Sequence, residues 1–157
     1  MDDKTFLRHA LATIAYRGGK TLRGAPEGFG AFSLGEGSRT AAEILAHIGD
    51  LLQWLLGLAD GEHRWSDTSP DDWETQVERF HAELAILDQR LASDEPLQRS
   101  ATRLFQGPVA DALQHVGQLA MMRRLAGSPV GGENFYKAEI EIGRVGAEQA
   151  PPVYEFD

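Results

Sequence analysis

Residues 41–59 read AAEILAHIGDLLQWLLGLA, and this stretch decides the fold. Ile44, Leu45, Ile48, Leu51, Leu52, Leu55 and Leu58 recur at helical spacing and cover more than half of a cylinder. A helix with so wide an apolar face packs into a core on more than one side. Ser38 or Thr40 stands where a cap belongs. Glu43 lies three residues after Thr40, which predicts a capping box. Asp60-Gly61 stops the helix. Its one histidine, His47, falls inside the apolar arc near its edge, with Glu43, Asp50 and Gln53 forming the polar face beyond. His47 is therefore expected to point at a neighbouring helix.

The rest of the chain supplies those neighbours. A first helix is expected from about Lys4 to Leu22, with Leu7, Leu11, Ile14 and Gly18 on one face, weakened at Gly18-Gly19. Arg23 to Gly37 reads as a long Gly-rich connection, and connections of that length often serve function. Ser69-Pro70-Asp71-Asp72 reads as a helix start, with Ser as cap and Pro at the first helical position. The seam Trp73, Val77, Phe80, Leu84, Leu87, Leu91 follows, until Ser93-Asp94-Glu95-Pro96 ends it. After a short apolar turn at Leu104-Phe105, Gly107-Pro108 is expected to open a further long helix, closed by Gly127-Ser128-Pro129. Residues 130–157 read as a C-terminal arm over the body, with a short helix possible over Phe135 to Ile142. No stretch alternates long enough for a sheet. The expectation is one all-α domain over 1–157, a four-helix bundle in up-down order with a long first connection.

Composition narrows the function. The 157 residues carry 15 basic and 24 acidic side chains, a net charge of −9, and no cysteine. Disulfides, thiolate metal ligands and thiol nucleophiles are excluded. The acidic balance argues against nucleic acid, whose phosphates require clustered Lys and Arg. No apolar run reaches the ~20 residues of a membrane span, and MDDKTFLRHA is not a signal peptide, so a cytoplasmic protein with no membrane partner is expected.

The chemistry concentrates on the last long helix. Apolar residues surround it except for a strip of Asp111, His115 and Gln118, continued by Met122. Asp111 and His115, four apart, project side by side. Ionisable groups on so apolar a helix are costly unless paired or bound. If this helix neighbours that of His47, then His47, Asp111 and His115 converge into a two-His, one-carboxylate site for zinc, nickel or iron. Equally, an Asp at i and a His at i+4 form a buried ion pair, and a His at a core edge is usually hydrogen-bonded and inert. Gln118 is then a partner behind the ligands or a seam residue, and Met122 core filling. His9 and His63 are expected in solvent and His81 at a seam edge. Arg123-Arg124 complement the helix dipole or, at lower odds, bind an anion. The three Trp share no spacing.

Two stretches resemble the DinB-like superfamily, which includes YfiT-type metal-dependent hydrolases. AAEILAHIGDLLQW (41–54) is similar to its second helix with a single His after an "eiLaH" run. HVGQLAMMRRLAG (115–127) is similar to its "H-R-G-Q-[LI]" stretch. The resemblance implies a metal triad of three His, one on the second helix and an H-x3-H pair on the fourth. His47 and His115 match it, Asp111 stands where the first His of the pair falls, and Val116 replaces the Arg. It also implies a homodimer and, as in some members, thiol-dependent transfer or isomerisation, with the thiol supplied from outside. The tail GENFYKAEIEIGRVG resembles tails of a subset, which would set Tyr136, Lys137, Glu139 and Arg144 over the mouth of the site. Alternatives from the residues are a non-enzymatic helical dimer that binds a small molecule in its apolar cavity, and an interaction module whose His–Asp pair fixes helix register.

Overall fold

The computed structural model describes residues 1–156 and is mostly helical, with one two-stranded ladder among the described residues. Asp157, the end of the expected arm, lies outside them. The long helices are α1 (Asp3–Leu22), α2 (Ala41–Ala59), α3 (Trp73–Ala92) and α5 (Ala110–Leu125), the last preceded by a single turn, α4 (Ala101–Leu104). α2 packs against α3 and α5, and α1 packs against the same two.

The local signals act as physical chemistry requires. Asp2 caps α1 by accepting from the Thr5 backbone N–H at 2.9 Å. At α2, Thr40 Oγ1 accepts from the Glu43 N–H at 3.2 Å, and Glu43 Oε2 accepts from the Thr40 N–H at 2.7 Å, so the capping box forms. Only Glu43 and Gln53 of α2 are exposed. The helix is apolar and long enough to cross a membrane by length and composition, and it is mostly buried among its neighbours. The width of its apolar face is thus largely consumed against its neighbours, with Trp54, Leu56 and Leu58 half-buried.

Asp50 departs from the expected polar face. It is 2% exposed and accepts from Arg79 Nη2 at 2.7 Å, Thr68 Oγ1 at 2.6 Å and the Thr68 N–H at 2.8 Å. This tie stretches the segment before α3 across α2. The cap therefore falls on Asp72, which accepts from the Thr75 N–H at 2.8 Å, and Ser69-Pro70 remain outside the helix.

Gly107-Pro108 does not open a helix. The chain is already helical at Ala101 and continues through a π-helical segment, Phe105–Val109, that contains Pro108. Pro has no N–H to return to the preceding turn, and the wider π turn accommodates that loss without breaking the helix.

Buried charges hold the non-helical segments. Arg123, 4% exposed, donates to the carbonyls of Thr21, Arg23, Gly24 and Ser128 and to Ser128 Oγ, at 2.8–3.2 Å. Standing in the last turn of α5, where a cation suits the helix dipole, it also clamps the long first connection; its burial lowers its pKa. That connection is ordered: Phe29 is buried and packs edge-on against Trp73 at 5.1 Å. In the arm, buried Glu133 accepts from Tyr16 Oη at 2.6 Å and Lys20 Nζ at 2.8 Å. Residues Gly132–Glu133 pair antiparallel with Glu155–Phe156. The expected helix over Phe135 to Ile142 shrinks to a 3-10 turn, Phe135–Lys137. Val145 is buried in the core, and Gly143 lies beside Arg8 and Asp88, which pair at 2.8 Å. The arm therefore lies along α1 and α3.

Gly18, expected to weaken α1, is where α1 meets α3 most closely. A Cβ there would stand 2.6 Å from Phe80 Cζ, on a ring that is 1% exposed and cannot move aside. Gly18→Ala is expected to destabilise the protein by about 1–3 kcal/mol despite the better helix propensity of Ala. Chemical denaturation checks it, and a stabilised variant would contradict the packing described.

Candidate metal centre

His47 leaves the middle of α2 towards α5, and Asp111 and His115 leave the first two turns of α5 towards α2. Because α2 and α5 are in contact, the three meet. One ligand atom from each lies within 4.8 Å of the other two. The two imidazole rings stand perpendicular, 89° apart in plane, with centroids 4.6 Å apart. Asp111 and His47 are half-buried and His115 is buried.

His115 Nδ1 lies 2.7 Å from Gln118 Oε1. An amide oxygen only accepts, so Nδ1 donates to it, which leaves Nε2 as the nitrogen a metal would take. Nε2 faces Asp111 Oδ1, and their separation, 3.4 Å, exceeds a normal hydrogen bond. It matches the separation of two ligands on one tetrahedral ion with bonds of about 2.0–2.1 Å, which is about 3.3–3.4 Å. The remaining donor separations, up to 4.8 Å, require about 1.4 Å of closure at most. His47 is biased to its neutral, ligating form, because burial lowers its pKa, with Arg39 and His115 acting the same way against Asp111 and Asp50.

The structural ion-pair alternative is weak on magnitude. The Asp111 side chain is 42% exposed, and a pair so exposed contributes about 0–1 kcal/mol. The donor set, two imidazoles and one carboxylate, suits zinc, nickel or iron with positions left open.

Surrounding residues position the donors. The Asp50–Thr68 tie brings the segment before α3 back over α2, where Trp65 packs edge-on against His47 and Trp54, both at 5.7 Å. Trp54 also meets His63 at 5.7 Å, so His63 belongs to this aromatic group though exposed. Nothing in sequence spacing marks Trp65, because its place depends on Asp50 being buried. His9 is exposed as expected and Met122 is buried as core filling. His81 is half-buried at the seam edge beside Phe80, as expected, but its Nδ1 is buried without a partner, and burial lowers its pKa. The arm does not roof the site. Tyr136, Lys137 and Glu139 are exposed, Arg144 pairs with Glu141 at 2.7 Å, and none of the four lines the cavities beside the donors.

Two cavities flank the donors. One, about 530 Å³ and largely apolar, has His115 in its wall with Ile44, Met121 and Met122. The other, about 350 Å³, has His47 in its wall with Glu43, Asp50 and Asp67. Ser38 and Arg39 border both. No family model, curated protein or solved structure matches the chain.

Substitutions separate a ligand set from a structural pair. His115→Ala should abolish zinc binding to metal-free protein, Asp111→Asn should weaken it, and Asp111→His should tighten it for zinc or nickel. Gln118→Leu should weaken it by about 10–100-fold through loss of ring orientation. Asp111→Asn should change metal-free stability by less than about 1 kcal/mol. Titration calorimetry and denaturation measure both; zinc affinity indifferent to all four changes would exclude this donor set.

Proposed function

We propose that the chain is a divalent-metal-dependent enzyme of the DinB-like kind, a four-helix bundle that acts on a small molecule as a thiol-dependent transferase or a hydrolase. The observation that carries this reading is the convergence of His47, Asp111 and His115, with His115 Nε2 and Asp111 Oδ1 3.4 Å apart and the His47 ring beside them. His47, Asp111 and His115 would hold the ion, zinc or nickel first and iron third. A bound ion of this class acts as a Lewis acid or lowers the pKa of a bound water or thiol.

The chain's own residues do the rest. Gln118 holds the His115 ring in the ligating tautomer. Trp65 shields His47 from bulk water on one side. The cavity bordered by His115 admits a small reactant to the donors. With no cysteine in the chain, any reacting thiol is external. The resemblance also carries a homodimer, through a face of the bundle. The 530 Å³ cavity favours a second reading, a binding protein without catalysis, in which the donors only orient the ligand.

Cobalt(II) distinguishes the two. Metal-free protein, prepared without an affinity tag and loaded with cobalt, should show visible bands of low-symmetry coordination. Added N-acetylcysteine should then produce a near-ultraviolet thiolate-to-cobalt band, absent in His115→Ala. Cobalt binding without the thiolate band would remove the thiol chemistry, and no cobalt binding would remove the metal. Affinity should be highest above pH 6.5, the ordinary value for His, and should fall as acidification protonates His47 in its depressed range.

A further inference from the structure

We infer that the cavity beside His115 takes a small organic anion with an apolar body, and that Arg39 determines this specificity by pairing with its carboxylate. As a substrate assignment, this rests on the metal-centre reading above. As a binding assignment, it stands on the cavity alone.

Three observations carry it. The cavity, about 530 Å³, falls in the size range of small-molecule sites. Its wall is apolar along Leu34, Ile44, Met121 and Met122, and Met121, which also lines a neighbouring cavity with Arg17 and Arg124, is 56% exposed. A large apolar side chain left that open, at the edge of a concave surface, fits an apolar ligand better than water. Arg39 is the only side chain in that wall with a permanent charge. It is exposed, and among the described residues its side chain makes no ion pair or hydrogen bond; Arg17, Arg23, Arg103 and Arg124 share that, but none of them borders this cavity.

An unpaired guanidinium at the rim of an apolar cavity recognises a carboxylate through a planar two-point contact that neither an alcohol nor an amine provides. The neighbouring cavity supplies the contrast. Its wall carries Glu43 and Asp67, which disfavour an anion, besides Asp50, whose charge Arg79 answers. An anionic ligand is thereby confined to the side of Arg39 that faces His115. Its carboxylate would sit at the rim, its body along Met121 and Met122, and its far end against the metal donors.

The test uses octanoate as probe, with 1-octanol and octylamine as controls, on metal-free protein labelled at the methionine methyl carbons. The label reports Met1, Met121 and Met122, the three Met of the chain. Octanoate should shift the Met121 and Met122 signals and leave Met1 unmoved. It should bind at least about tenfold more tightly than octanol or octylamine. Arg39→Gln should remove that preference while octanol binding stays as it was. Equal affinity for octanoate and octanol, unchanged octanoate affinity in Arg39→Gln, or shifts absent from both cavity methionines would each overturn the inference. A zinc titration of the same protein tells the two proposals apart. Zinc binding without octanoate preference defeats this inference alone, and octanoate preference without zinc binding defeats the metal reading alone.

Discussion

The burial of α2 on nearly all sides constrains where His47 can point, and the other donors must stand to suit it. Ile44, Leu45, Ile48, Leu51, Leu52 and Leu55 are each 6% exposed or less. Burying a side chain of this size contributes about 1.5–3 kcal/mol, so rotating α2 to carry His47 into water would sacrifice several such contributions at once. The imidazole therefore stays at the α2–α5 boundary, packed between the His115 ring of α5 and Trp65. The spacing of four between Asp111 and His115 places both on the turn of α5 that faces it.

Three buried charges do a different job. Asp50, Arg123 and Glu133 each sit where a helix meets a segment that is not helical, and each is bonded to that segment or to the helix beneath it. An unpaired buried charge would be expensive, so each fixes the chain wherever its partners must be. The result is a site carried on α2 and α5 and bordered by loops that are fastened from inside. The segment carrying Trp65 is fastened by Asp50, and Arg123 fastens the start of the connection that ends at Ser38 and Arg39.

What sequence made legible was local or periodic. The Thr40–Glu43 capping box, the apolar face of α2 and the Asp111–His115 spacing are contained in a few neighbouring residues, and all three stand in the structure. What escaped depends on distant contacts. The cap of α3 falls on Asp72 because Thr68 answers to Asp50, eighteen positions away. Asp50 looked polar on its own helix but has Arg79 of α3 as counter-ion. Arg39 and Trp65 carry no pattern, since their positions follow from how the connections return. The convergence of His47 with the α5 pair needed one fact that periodicity does not contain, that α2 and α5 are adjacent. The DinB-like resemblance suggested that adjacency without deriving it.

The π-helical segment at Phe105–Val109 stands just upstream of Asp111. A π turn is an α turn with one residue inserted, and each residue accounts for about 100° of rotation about the helix axis. Deletion of one residue there would close the wide turn and leave everything downstream facing as it does. Straightening the segment to ordinary α geometry with every residue kept would instead turn everything downstream by about that angle, unless the helix slid lengthwise. Asp111 and His115 would then swing away from α2 together, with their spacing intact. The meeting of His47, Asp111 and His115 therefore depends on the wide turn as well as on the three residues, and a substitution that let the segment relax could undo it with all three still present in the sequence.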